Sequence, residues 1–169
     1  MLKKMWLCCL FTLLLSCANL LGNEICGLWN TLDKNTGKPR SLFIVYEYEG
    51  KCYGRIIAIY NKDGGIKESV YHPLQKAPGV EGHPFYCGLD ILWDLSKGNY
   101  RYKGKIMDPD DGKIYSAEVW RSDDDLIVRG KLLCFGRNET WKGTSFANLP
   151  KEFKQSDFTN LKPKIPSPD

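Results

Sequence analysis

Hydrophobic and polar positions alternate along most of this chain, in short runs rich in β-branched and aromatic residues that Gly, Asp and Asn interrupt. The pattern predicts strands at about 25–31, 41–48, 51–60, 88–95, 99–107, 112–120, 125–134 and 138–143. In "GLDILWDL", Leu89, Ile91, Trp93 and Leu95 fall on one face, with Asp90 and Asp94 on the other. In "YRYKGKIM", Tyr100, Tyr102, Gly104 and Ile106 oppose Arg101, Lys103 and Lys105. Strands with one dry and one wet face belong to antiparallel sheets wrapped on a single core. Eight of them, joined mostly by tight turns such as Glu49-Gly50, "DPDDGK" and "SDDD", suffice to close an all-β barrel. A two-sheet sandwich is the competing architecture, because alternation alone does not show closure.

Two stretches break the rhythm. Residues 61–87 form a long connection containing Gly and Pro, of a length that elsewhere serves as a lid, a binding loop or a surface insertion. Residues 150–169 read as a polar, Pro- and Lys-containing tail with too little apolar content to bury, and hence as disordered. The barrel domain is expected over 23–146.

The N terminus changes the picture of where the chain works. Lys3 and Lys4 precede an apolar run from Met5 to Leu15, the pattern of a secretory signal and too short for a membrane span of roughly 20 residues. "LLLSC" resembles a bacterial lipobox, which would end a signal peptide at residues 1–16 and lipidate Cys17. Cleavage after Ala18 is the alternative. The expectation is an exported bacterial protein: periplasmic, held to a membrane only through that lipid, or secreted. The chain has 24 Lys+Arg and 20 Asp+Glu, and two of those lysines lie in the leader. The mature protein is therefore nearly neutral, with no basic stripe to recruit nucleic acid. Past the leader, Cys26, Cys52, Cys87 and Cys134 remain, an even number with three possible pairings and no C-x-x-C spacing. Disulfides and buried thiols are both open readings.

Chemistry is sparse. His72 and His83 lie in the long connection; His83 and Cys87 have a ligand-like spacing but no evident further ligands, so no metal site is expected. "DPDDG" fails as a calcium loop, since Val119 stands twelfth from Asp108 where a Glu is required. No G-x-S-x-G elbow and no phosphate loop occur, so neither an enzyme nor a cofactor is expected.

The opening segment, "CGLWNTLDKNTGKPRS", carries a Gly-x-Trp at Gly27–Trp29 that resembles the first strand of lipocalins and other calycin barrels. The resemblance implies that Gly27 admits a close neighbour and that Trp29 plugs the barrel floor, its ring covered by a cation from a late strand. Arg129 is the expected cation, with Arg137 second. Asn35-Thr36-Gly37 suits a tight turn; Lys38 and Arg40 are read as structural turn residues, with an anionic headgroup as the alternative partner. The ordered set "GLWNT", "TGKPRS", "GRIIAIY", "GLDILWDL", "DPDDGKIYSAEV", "LIVRG" and "GRNETW" resembles a family of exported bacterial proteins known only as a domain of unknown function. That resemblance implies a single calycin-like barrel, without established catalytic residues. Relatives carry a Cys pair in the region of the 61–87 connection, where this chain has only Cys87. The expected function is to bind an apolar or amphipathic small molecule, lined by Tyr46, Ile56, Ile91, Trp93, Tyr102 and Tyr115. The alternative is a filled barrel that engages an envelope protein.

Overall fold

The computed structural model describes residues 24–133 and 135–169, so the leader, Cys17 and Cys134 lie outside the described residues. Nine strands form one antiparallel sheet: β1 (Gly27–Leu32), β2 (Pro39–Tyr48), β3 (Lys51–Tyr60), β4 (Ile66–Ser69), β5 (Asp90–Lys97), β6 (Tyr102–Met107), β7 (Ile114–Ser122), β8 (Asp125–Leu132) and β9 (Phe135–Thr144). Eight of them close a barrel in the order β1-β2-β3-β5-β6-β7-β8-β9, with β9 returning to β1 through Trp29↔Gly143. All eight expected strands are present. The expectation missed β4, a short strand within the 61–87 connection that pairs with the far half of β3 while β5 takes the near half.

The register separates the two faces of the wall. Trp29 is paired with Phe43, Phe43 with Ile56, Leu126 with Trp141, and Val119 with both Tyr102 and Val128. Paired residues share a face, so these side chains line the interior. On the other face of β6–β9 stand Lys103, Lys105, Ser116, Lys131 and Asn138, as water requires. At the floor, Phe43 stacks on Trp141 at 4.3 Å between ring centroids, and Trp29, Trp141, Tyr102, Leu92, Leu95 and Leu126 are fully enclosed. Burying each such aromatic ring contributes on the order of 2–3 kcal/mol.

The expectation that Leu89, Ile91, Trp93 and Leu95 share one face fails at a bulge. Asp94 has a left-handed backbone (φ 55°), and the β5–β6 register slips between Trp93 and Ser96. Leu92 pairs with Ile106 and Leu95 with Cys52, so both point inward, whereas Trp93 pairs with Lys105 and points outward. A one-residue bulge has inverted the alternation. It presses so tightly on β6 that a β-carbon at Gly104 would meet the carbonyl oxygen of Trp93 at 2.5 Å.

The tail is not disordered; it is a strap. Phe153 and Phe158 are buried, Pro168 bridges to Val80, and Tyr71 packs edge-on against both phenylalanines. The segment crosses the outer face of β2, β3 and β5, which explains why β3 is buried on both faces from Cys52 to Ala58. Two well-spaced phenylalanines and a backbone that satisfies a buried ion pair outweigh the polar composition.

Candidate functional site

The two ends of the barrel differ. The floor is formed by the lead-in Glu24–Cys26, the β2–β3 hairpin and the β7–β8 turn. Trp29 is tied there by its indole N–H, which donates to the Ile25 carbonyl at 3.0 Å. The cation over its ring is Arg121 of β7, at 4.9 Å, and not Arg129 or Arg137. Arg121 pairs with Leu126 on the inner face, whereas Arg129 pairs with Glu118 and Asn138 on the outer face. The sequence carried a signal for this: Arg121 lies an even number of positions from the inward Val119. Beneath the floor is an open cleft of about 530 Å³ lined by Cys26, Trp29, Arg121, Asp125, Lys142 and Asn148, among others.

The opposite end is the mouth. Gly104, Ala117 and Gly130 stand side by side on successive strands of the inner face, with Arg137 next in the row. At Gly104 the missing side chain is replaced by the backbone of the Asp94 bulge, whereas at Gly130 an added β-carbon would meet only ordinary contacts, so the small pair Ala117 and Gly130 leaves the wall thin where larger residues would fill it. Below them run Tyr102, Val119, Val128 and Glu139; above them lie Ile106 and Tyr115, which lean over Gly130. Leu132 and Phe135, paired at the β8–β9 tip, continue the same face upward. They are nevertheless 59% and 79% exposed, so the apolar lining emerges directly into solvent. Lys34 of the β1–β2 loop reaches Glu139 across this rim at 3.9 Å.

The expected lining residues divide accordingly. Tyr115 lines the mouth, Ile56 and Tyr102 face inward, and Tyr102 belongs to the sealed floor layer. Tyr46 and Trp93 are on the outer face, and Ile91 sits in a β3–β5 bulge. Tyr46 belongs instead to a buried cluster: its hydroxyl donates to Asp90 Oδ1 at 3.0 Å and accepts from Arg55, whose guanidinium meets Asp90 Oδ2 at 2.6 Å. Burial, and then the Asp90 charge, push the Tyr46 hydroxyl far above its ordinary range, so it stays protonated as a donor. The strap completes the cluster, with the Lys162 carbonyl accepting from Arg55 and the Lys164 amide donating to Asp90. Arg55 and Asp90 were missed, although a charge inside "GRIIAIY" and another inside "GLDILW" was the visible sign.

Lys38 and Arg40 follow the β1–β2 turn and face its neighbours. The Lys38 ammonium donates to the Lys62 carbonyl, and Arg40 lies close enough to help hold the Asp33 carboxyl below its usual range. The larger cause is hydrogen bonding: Asp33 Oδ1 accepts from the amides of Asn35 and Thr36 and from the Thr36 hydroxyl. Asp33 was overlooked as the organiser of this turn. His83 faces Asp169 at 3.1 Å, and among the described residues no three His, Cys, Asp or Glu side chains converge as a metal site.

Comparison with known proteins agrees with this architecture. Residues 27–143 match a family model described as "Uncharacterized protein conserved in bacteria (DUF2147)". Among solved structures, the chain is similar to protein HP1028 from the human pathogen Helicobacter pylori, which is described as belonging to the lipocalin family. The identity is 27% and the TM-score 0.57, over 73% of this chain and 85% of that one. No curated protein matches the sequence. With a closed barrel plugged by the Trp of its Gly-x-Trp, and the family match spanning every barrel strand, the chain belongs to the DUF2147 family and has a lipocalin-like fold.

Proposed function

We propose that this protein is an exported binding module that holds one apolar or amphipathic small molecule in the mouth half of its barrel. The observation that carries this reading is the small pair Ala117 and Gly130 on the inner face, set between a sealed aromatic floor and an open apolar rim. The floor limits the ligand to the upper lumen, so a compact molecule or the end of a chain fits better than a long one. The lipocalin membership of its structural neighbour supports the same reading by analogy of fold. The leader and "LLLSC" support export and a lipid anchor at Cys17, with the barrel in the periplasm or outside the cell. In this reading the protein binds and carries rather than catalyses.

Native mass spectrometry of protein isolated gently from its host, followed by titration with the amphipathic fluorophore 1-anilinonaphthalene-8-sulfonate, tests this. A small mass lost on denaturation, or saturable probe binding, is expected. Gly130→Val thickens the wall there and should weaken probe binding at least tenfold while the melting temperature holds. A bare polypeptide mass with no saturable binding would overturn the reading in favour of a filled barrel that docks an envelope protein.

A further inference from the structure

The floor brings together two cysteines that are distant in sequence. Cys26 immediately precedes β1, whose Gly27 pairs with Val45 of β2. Two positions further along β2, Glu47 pairs with Cys52, the second residue of β3. The two cysteines are thus at the same end of the barrel, across a single intervening strand, and their thiols are in hydrogen-bond contact. The third described cysteine, Cys87, is elsewhere, lining a pocket under the strap with Arg55, Tyr71 and Phe158. Both floor cysteines are reduced in the structure.

We propose that Cys26 and Cys52 are a redox pair that closes to a disulfide, stapling the lead-in of β1 to the β2–β3 hairpin. Access differs between the two sulfurs and sets the order of events. Cys26 is half-buried and lines the open cleft beneath Trp29, whereas Cys52 is wholly buried. The Cys52 thiol donates to the Cys26 sulfur, which holds the Cys26 thiol below its ordinary value and raises that of Cys52. Cys26 is therefore the attacking thiolate and Cys52 the resolving thiol. The oxidant is a disulfide of the thiol-exchange class, RSSR. The Cys26 sulfur attacks one of its sulfurs and expels RS⁻, which takes the proton that Cys26 gave up. The Cys52 sulfur then attacks the Cys26 side of the mixed disulfide and expels the second RS⁻, which takes the Cys52 proton. Two protein thiols become one disulfide and RSSR becomes two RSH, with no net change in protons.

The staple closes at a sensitive place. Glu24 pairs with Lys97 at 3.6 Å, and the Ile25 carbonyl receives the Trp29 indole, so the lead-in holds the plug that the disulfide would lock. The inference is independent of any ligand in the mouth. It is tested on the mature chain incubated with oxidised glutathione, alkylated and digested with trypsin without reduction. The expected product joins the Cys52–Arg55 peptide to the peptide ending at Lys34, with a melting temperature raised by roughly 5–10 °C. Cys26→Ser and Cys52→Ala should each abolish that rise. In the reduced protein, iodoacetamide should label Cys26 before Cys52 and before Cys87, whose thiol burial pushes up to about 12. Because the peptide map uses the native sequence, a variant that fails to fold does not affect it. Two unlinked cysteines after oxidation, or a link from either one to Cys87 or Cys134, would overturn the proposal.

Discussion

Arg55 is wholly buried on the outside of a barrel, a position where most proteins place an aliphatic residue. It is retained there because every polar atom around it is answered: Asp90 by two contacts, Tyr46 by one, and the strap backbone by another. Removing one partner leaves the other charge stranded. Asp90→Ala or Arg55→Ala should therefore lower stability by about 3–5 kcal/mol, read from urea midpoints. The double change Arg55→Met with Asp90→Leu should recover most of that loss, because the pair's own desolvation cost is removed with it. A different residue contributes to acid sensitivity. Glu118 accepts from Lys131 and from Arg101 at 2.7 Å, and these cations hold its carboxyl below the ordinary 4.5. A depressed folded-state pKa contributes stability that is present above 4.5 and lost as pH falls through the lower folded value. Glu118→Gln should thus flatten the acid limb of a stability-versus-pH curve and leave the limb above pH 6 unchanged in shape. Neither site was legible as such in the sequence, since pairing across strands depends on a register that alternation does not state.

At the level of elements, the eight barrel strands were readable because each is a run of β-branched and aromatic residues bounded by turn formers. The β2–β3 hairpin is the clearest case: Glu49 and Gly50 both adopt positive φ, as a two-residue turn demands. What the pattern hid was the bulge at Asp94, which looks like one more polar position in a regular alternation. Its consequence was to put Trp93 and Leu95 on opposite faces and so to misassign Trp93 as lining. The bulge is supported by Gly104, where any side chain would strike backbone atoms that cannot give way. Gly104→Ala should cost about 1–3 kcal/mol in thermal or chemical melts, more than Gly130→Ala, whose added methyl meets only ordinary contacts. The strand β4 was missed because four residues inside a long connection carry no period of their own. The mouth was partly legible, through Tyr115 and the small residues of β6 to β8, but only the register sets those small residues abreast.

For the molecule as a whole, the strap makes barrel and tail one cooperative unit. Truncation after Leu149 exposes the ground beneath Phe153 and Phe158 and withdraws the Lys162 carbonyl and Lys164 amide from the buried pair. Such a truncated chain should lose at least about 3 kcal/mol and melt well below the full-length protein in a calorimeter. Composition argued the opposite, because Pro and Lys dominate the segment and its two buried phenylalanines are its largest apolar anchors. The same strap also dictates when the protein can finish folding. Lys162 follows Arg55 by 107 residues and Lys164 follows Asp90 by 74, yet these late residues complete the solvation of the two charges. Until those residues arrive, Arg55 and Asp90 have no dry place to rest, and the β3–β5 seam stays hydrated and loose. The barrel strands thus stay unlocked while they are made, and lock only when the strap that follows them has docked.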